Sequence, residues 1–464
     1  MKSLIFLSVN LFLIFSLVQG QETLTLETTT LTEAEVAVGL DVPWEMSWGP
    51  DNHIWLTERE GSVKRLDPIT GVVTTVLDLT STVLSTQESG LLGMAIHPDL
   101  DQASPYVYLV YTYEQGFSLQ ERLVRYTWDG STLSEPLILL DEIRAGNIHN
   151  GSRLLISPDE KIFMTTGDVG NGDLSQDLEN INGKLLRINL DGSIPIDNPD
   201  PASYVYSYGH RNSQGLTFGP NGQLYSSEHG AQSSDELNLI EVNRNYGWPN
   251  VQGACNTSNE INFCQAFNVA EPLIEWSPCV AVNDITYYDS PAIPEWEGKL
   301  LMAVLGGFVK EPRLSVLTFN EDGTEITSED KYFEDYGRIR DICISPQGVI
   351  YFATNGPNYP GSGPNRIISY TSNIIINTED VNPVDLHISV YPNPVKTSEL
   401  MTIETDQSLV GGSYEVISYE GKVTLSGDVT SQKSLIDTEG LSSGHYYIRV
   451  QKDEKSITQS FVVK

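Results

Sequence analysis

The chain is short of basic residues, of cysteine and of histidine, and each shortage narrows its possible roles. Lysine and arginine number 27 against 62 aspartates and glutamates, a formal charge of -35 over 464 residues. A surface of that sign repels phosphate backbones, which argues against a nucleic-acid partner. The four cysteines, Cys255, Cys264, Cys279 and Cys343, include no Cys-x-x-Cys pair, which argues against a zinc or redox centre. Long apolar runs are absent beyond the first twenty residues. There, "LIFLSVNLFLIFSLV" follows Lys2 and ends in "VQG" before Gln21. Residues 1–20 read as a cleaved signal peptide rather than a membrane anchor, because the run is short for a span and lacks a basic stop-transfer flank. No cysteine lies near the cleavage point, which argues against a lipoprotein. Export permits disulfides, and Cys255 and Cys264, which flank the polar loop "NTSNEINF", are expected to form one. Cys279 and Cys343 are left either to pair or to stay free.

What is present is a repeat. "GPDNHIWLT" begins at Gly49, "SPDEKIFMT" at Ser157, "GPNGQLYSS" at Gly219 and "SPQGVIYFA" at Ser345. Each places a proline and a polar turn ahead of an aliphatic–aromatic strand start, the chemistry of a hairpin entry. Degenerate copies fit near Pro98 and Pro294. Six units of roughly 50–60 residues built from short strands are what propeller blades look like. The fold class is therefore all-β, with a six-bladed β-propeller over residues 21–372.

The pattern changes after "NRIISYT". Residues 373–385 read as a linker, and 386–464 alternate apolar and polar residues as a small β-sandwich requires. Tyr391-Pro392-Asn393-Pro394, Gly444-His445-Tyr446-Tyr447 and the terminal strand ending in Lys464 resemble the C-terminal sorting domain of type IX secretion cargo. The resemblance implies a secreted or cell-surface protein, with the type IX secretion machinery as a partner and a module removed after export.

Propeller chemistry lies at one mouth of the central channel, so site residues should recur at matching places in the repeats. Four polar loops do: "STQESGLLG" from Ser85, "GNIHNGSRL" from Gly146, "YGHRNSQGL" from Tyr208 and "YGRIRDI" from Tyr336. His149, in the second, is either a catalytic base supported by Asp168 or a turn residue. Arg338 and Arg340 share one strand face. They either fork onto ligand carboxylates or neutralise local acids. Carbonyls of Gly230 and Ala231, in "SEHGAQSSDE", suit a hard cation such as calcium.

Seven ordered segments, among them "GLLGMAIHPD", "HNGSRLLISPDEKIFMTTGDVG", "YGHRNSQGLTFGPNGQL", "NYGWPNV" and "RIRDICISPQG", resemble the soluble glucose and aldose sugar dehydrogenases dependent on pyrroloquinoline quinone (PQQ). The resemblance implies PQQ and Ca2+ as cofactors, an aldose as substrate and an external electron acceptor. It implies that His149 is the general base for the anomeric hydroxyl, Asp168 its orienting carboxylate and Arg211 the cation beside the quinone carbonyl. Asn212, Arg338 and Arg340 would hold the cofactor's carboxylates. Gly230 and Ala231 would ligate a calcium at the cofactor, and Glu236 with the Tyr246 carbonyl a structural one.

The chain departs from the glucose enzymes at several of these places. Glu88 stands where they carry a substrate-contacting glutamine, Ile148 where they carry an acid, and Ala231 where they carry proline. Their cofactor-gripping lysine has no clean counterpart: Gly306 falls there, with Lys310 as a substitute if the loop is lengthened. Glu88 and Ile148 point toward the aldose branch rather than glucose itself. Two alternatives remain, a non-catalytic propeller that binds carbohydrate or protein, and a calcium-dependent lactonase.

Overall fold

The computed structural model describes residues 23–100, 104–374, 388–397, 399–418, 422–452 and 455–464. The expected signal peptide and most of the expected linker lie outside them. The described residues form two compact units that divide between Ile376 and Asn377.

In the first unit, five four-stranded antiparallel sheets and one five-stranded sheet follow each other along the chain. They are the six blades. Blade 1 begins with Pro43–Trp48, blade 2 with Leu91–Ile96, blade 3 with Gly151–Ile156, blade 4 with Ser213–Phe218, blade 5 with Val282–Tyr288 and blade 6 with Ile339–Ile344. Each first strand packs against the first strand of the next blade, and that of blade 6 returns to that of blade 1. Blade 6 is completed by a strand from the other end of the unit: Thr30–Leu40 pairs antiparallel with Asn365–Ser372.

The repeat phrase has one structural meaning. Pro50, Pro98, Pro158, Pro220, Pro294 and Pro346 all lie in the turn between the first and second strands of a blade. Burial falls outward along blades 1, 2 and 5. Leu91–Ile96 and Ile54–Glu58 are almost wholly buried, whereas the outer strands Val73–Asp78 and Ile326–Tyr332 are mostly exposed. Apolar side chains gather in six clusters, one at each blade-to-blade seam, which is where area removed from water holds the ring. Across the channel, Arg153 of blade 3 donates to Glu45 of blade 1 at 2.6 Å and to Asp341 of blade 6 at 2.8 Å. Asp284 of blade 5 is 3.5 Å from the same guanidinium. These groups tie four blades through the axis.

Two expectations about the cysteines resolve differently. Cys255 and Cys264 form the disulfide. The stretch between them is not a loop but a helix, Ser258–Phe267, opened by a capping box in which Thr257 and Glu260 satisfy each other's backbone N–H groups. Cys279 and Cys343 are both free and buried. They do not meet because Cys343 sits in the blade 6–blade 1 seam while Cys279 lines the channel mouth.

The second unit pairs a three-stranded sheet (Ile388–Tyr391, Leu400–Thr405, Lys433–Asp437) with a four-stranded one (Ser413–Ser418, Val423–Asp428, Gly444–Lys452, Lys455–Val463). Met401, Ile403, Val416, Ile448, Val450 and Phe461 are buried in its core.

Candidate active site

The loops that enter each blade's first strand, and those that leave its second, open on the same face of the ring. His149 sits just ahead of Gly151–Ile156, and Asp168 just after Lys161–Thr166. His149 adopts a left-handed backbone (φ 56°), followed by Gly151 (φ 71°), so the chain turns tightly and aims the imidazole into the channel. Gly167 makes the approach of the two loops feasible, because a Cβ there would lie 1.8 Å from the His149 carbonyl oxygen.

His149 Nδ1 and Asp168 Oδ1 are 2.7 Å apart. On its other side, His149 Nε2 lies 3.1 Å from Arg211 Nη2. A guanidinium only donates, so Nε2 is the acceptor and Nδ1 carries the proton. Asp168 Oδ1 also accepts the Gly170 N–H, and Oδ2 accepts the indole N–H of Trp248, each at 2.8 Å. Burial pushes the Asp168 carboxyl up, but the hydrogen bond from His149, the Gly170 N–H and Trp248 outweigh it and hold it below the usual carboxylate range. Trp248 also lies under the Arg211 guanidinium, 5.3 Å from the ring centroid.

His149 and Arg211 border a cavity of about 400 Å3 whose wall also includes Glu88, Gly230, Ala231, Arg338 and Arg340. Loops from several blades thus converge as the repeats imply. Arg211, Arg338 and Arg340 each have a buried Nε without a hydrogen-bond partner. Among the described residues none of the three forms an ion pair, unlike Arg153, Arg187 and Arg313. Burial, together with Arg338 and Arg153, pushes the Arg340 guanidinium down to about 9, the direction of a cation lacking counter-charge. Arg340 is held by Gln214 Oε1 at 3.0 Å and Asn283 Oδ1 at 3.2 Å, both neutral.

Two of the expected cofactor contacts are not among the residues of that wall. Asn212 is outside the cavity wall, and its Oδ1 accepts the Gly151 N–H at 3.1 Å, bracing the histidine loop. Lys310 is exposed and also outside the wall, to which its loop contributes Leu305, Gly307 and Phe308. Sequence reasoning missed Trp44, His229, Phe308 and Tyr359 in the wall and Trp248 behind it. The Trp44 ring has the Arg340 and Arg153 guanidiniums at 5.8 and 4.6 Å from its centroid. His229 presents a buried Nε2 without a partner, and burial pushes its imidazole down.

Glu236 and Tyr246 border a second, ion-sized cavity of about 10 Å3 together with Glu228 and Ser234. Glu236 accepts the Gly253 N–H at 2.8 Å and an Asn238 Nδ2 hydrogen at 3.0 Å. Burial and the neighbouring Glu228 charge push its carboxyl up to about 8, so a cation in that space fits the residues present. Among the described residues no set of three or more His, Cys, Asp or Glu side chains is placed to hold a metal, so ligation here would lean on backbone carbonyls.

Residues 40–361 match the Glucose / Sorbosone dehydrogenase family, and 389–464 match the Secretion system C-terminal sorting domain. The chain is 34% identical over 348 residues to the Synechocystis protein slr1608, covering 69% of this chain and 83% of that one. It is 42% identical over 246 residues to quinoprotein glucose dehydrogenase B of Acinetobacter calcoaceticus, covering 46% and 51%. It is 30% identical over 338 residues to aldose sugar dehydrogenase YliI of Escherichia coli, covering 68% and 88%. Among solved structures, the PQQ-bound aldose sugar dehydrogenase of Streptomyces coelicolor superposes with a TM-score of 0.63 at 31% identity, over 73% of this chain and 96% of that one. The six-bladed ring and its ordered loops therefore have a family: the chain belongs to the glucose/sorbosone dehydrogenases and carries a C-terminal secretion sorting domain.

Proposed function

We propose that this protein is an exported, PQQ- and calcium-dependent aldose dehydrogenase that converts the anomeric carbon of a sugar to a lactone and passes the electrons to an external acceptor. The observation that carries the reading is the set of three guanidiniums, Arg211, Arg338 and Arg340, left without carboxylate partners in the same cavity as the His149–Asp168 pair. In a chain with 62 acidic residues, a wall of unpaired arginines calls for an anionic ligand with several carboxylates. PQQ is such a tricarboxylate, and when bound it supplies the acceptor for the sugar's hydride.

The rest of the chemistry belongs to the chain. The neutral His149 Nε2 faces the cavity and takes the proton of the anomeric hydroxyl. Asp168 fixes the tautomer with the proton on Nδ1 and stabilises the imidazolium that results. The Nε2 lone pair accepts from Arg211 in the sugar-free site and takes the hydroxyl's proton once the sugar displaces that contact. Arg211 supplies positive charge at the same spot. Glu236 and the Tyr246 carbonyl would hold a structural calcium, and the carbonyls of Gly230 and Ala231 one beside the cofactor. The lactonase alternative needs several acidic side chains converging on a channel metal; the wall has two, Glu88 and Asp235, and both are taken up by protein donors. The sorting domain supports export by type IX secretion, and the aldose, the acceptor and the sorting step are parts of the same proposal.

Titrating the metal-free protein with PQQ and calcium, then adding an aldose and a redox dye, tests it. Saturable PQQ binding followed by dye reduction is expected. PQQ binding without reduction leaves the non-catalytic propeller, and no PQQ binding overturns the reading.

A further inference from the structure

Tyr359 lies in the segment 355–364, between the second and third strands of blade 6, and leans over the channel mouth. Its hydroxyl donates to Glu88 Oε1 at 2.8 Å, across 271 residues of sequence. The other oxygen, Glu88 Oε2, accepts the backbone N–H of His149 at 2.9 Å. The segment is anchored from blade 1. Arg59, 7% exposed, donates Nη1 to the Pro360 carbonyl at 3.2 Å and Nη2 to the Gly361 carbonyl at 3.3 Å. Tyr359 is therefore held at the mouth by two independent ties, although its side chain is 59% exposed.

Hydrogen-bond arithmetic gives this pair a chemical sense. A phenol has one hydrogen and two lone pairs, and Tyr359 has committed its hydrogen to Glu88. Burial and the Glu88 carboxylate both push the Tyr359 hydroxyl up, so it keeps that hydrogen. What the pair offers to the cavity is acceptors alone. The guanidinium wall of Arg211, Arg338 and Arg340 offers donors alone. The cavity is thus divided into a side that takes carboxylates and a side that takes O–H or N–H groups. Because Glu88 grips the backbone of His149 itself, a group read there sits next to the carbon whose hydroxyl faces His149.

We propose that Tyr359 and Glu88 form an acceptor-only subsite that selects aldoses carrying a hydrogen-bond donor on the carbon adjacent to the one oxidised, with Tyr359 the residue that sets the selection. This rests on the dehydrogenase reading for the position of the sugar, but not for the chemistry of the pair. A 2-deoxy aldose leaves both acceptors without a donor, and sites built to bind a hydroxyl discriminate against its loss.

The test compares glucose with 2-deoxyglucose on the full chain loaded with PQQ and calcium. Dye reduction gives kcat/KM, and calorimetry without dye gives affinity. The wild type should prefer glucose by about 10–100-fold, the worth of one hydrogen bond to a charged acceptor. Tyr359→Phe, which keeps the ring, should reduce that preference by about tenfold, through a higher glucose KM at little-changed kcat and with 2-deoxyglucose unaffected. Glu88→Gln, with an amide hydrogen to offer, should also blunt it. A Tyr359→Phe protein with the wild-type preference overturns the subsite, as does a wild type indifferent to the 2-hydroxyl. Selective binding of glucose without dye reduction upholds the subsite while overturning the dehydrogenase reading.

Discussion

Trp248 donates its indole N–H to the outer oxygen of Asp168 at 2.8 Å, from 80 residues downstream, and the inner oxygen of that carboxylate holds His149. The line from indole to carboxylate to imidazole sets a graded series. His149→Ala should keep bound PQQ but lose turnover by about 10²–10⁴-fold, the worth of a positioned base. Asp168→Asn should lose less, since the imidazole remains. Trp248→Phe should lose least, since Asp168 keeps its bonds to His149 and to the Gly170 N–H. Stopped-flow reduction across pH measures all three, and His149→Ala at the wild-type rate would sink the assignment.

Arg338→Ala and Arg340→Ala should each weaken PQQ binding while sparing sugar affinity. A desolvated charge-assisted contact is worth on the order of 2–3 kcal/mol, which is about a 30- to 100-fold rise in Kd. Absorbance titration reports it directly. Unchanged PQQ affinity in both variants would return these arginines to charge balancing.

Removing calcium should lower Tm. A cation at about 100 times its Kd contributes about 2.7 kcal/mol, which is on the order of 3–4 °C in a propeller unit of this size. Chelator added to the wild type should produce that drop, and Glu236→Ala should show little further response. A chelator effect equal in both proteins would place the ion elsewhere.

Glu121 provides a pH test away from the site. Its carboxyl is buried, accepts the Ser152 hydroxyl, and is pushed up to about 8 by burial. In the unfolded chain it titrates near 4.3, roughly the value for an unperturbed glutamate. The folded form therefore holds a proton that the unfolded form has lost between these values. This contribution is full below the unfolded pKa and disappears as pH rises through 8. Glu121→Gln should accordingly lose less Tm than the wild type between pH 5 and pH 9. Parallel melting curves would refute burial as the cause.

How far the sequence revealed all this depends on the range of the interaction. The six prolines mark the six first turns because a turn is decided by a few adjacent residues. His149, Asp168 and the arginines were legible through the family order of their segments, and the cavity brings them together. Trp44, His229, Phe308 and Tyr359 were not legible, because nothing local distinguishes a channel-facing aromatic or imidazole from one in a seam. Asn212, named as a cofactor contact by the resemblance, is not among the residues of the cavity wall, and its Oδ1 braces the histidine loop through the Gly151 N–H. The helix Ser258–Phe267 announces itself by Thr257-x-x-Glu260, a local signature passed over in favour of the cysteines flanking it.

The strand that completes blade 6 imposes an order in time. Ala34 and Ser369 face each other in the sheet although 335 residues separate them. A growing chain delivers the first of these almost at once and the second only when the sixth blade has been made. Until then the ring has a gap, and the seam that buries Leu40, Met46 and Ile367 has no second side. The latch is thus a clock: until the sixth blade has been made the ring stays open, and only the finished chain can lock it shut.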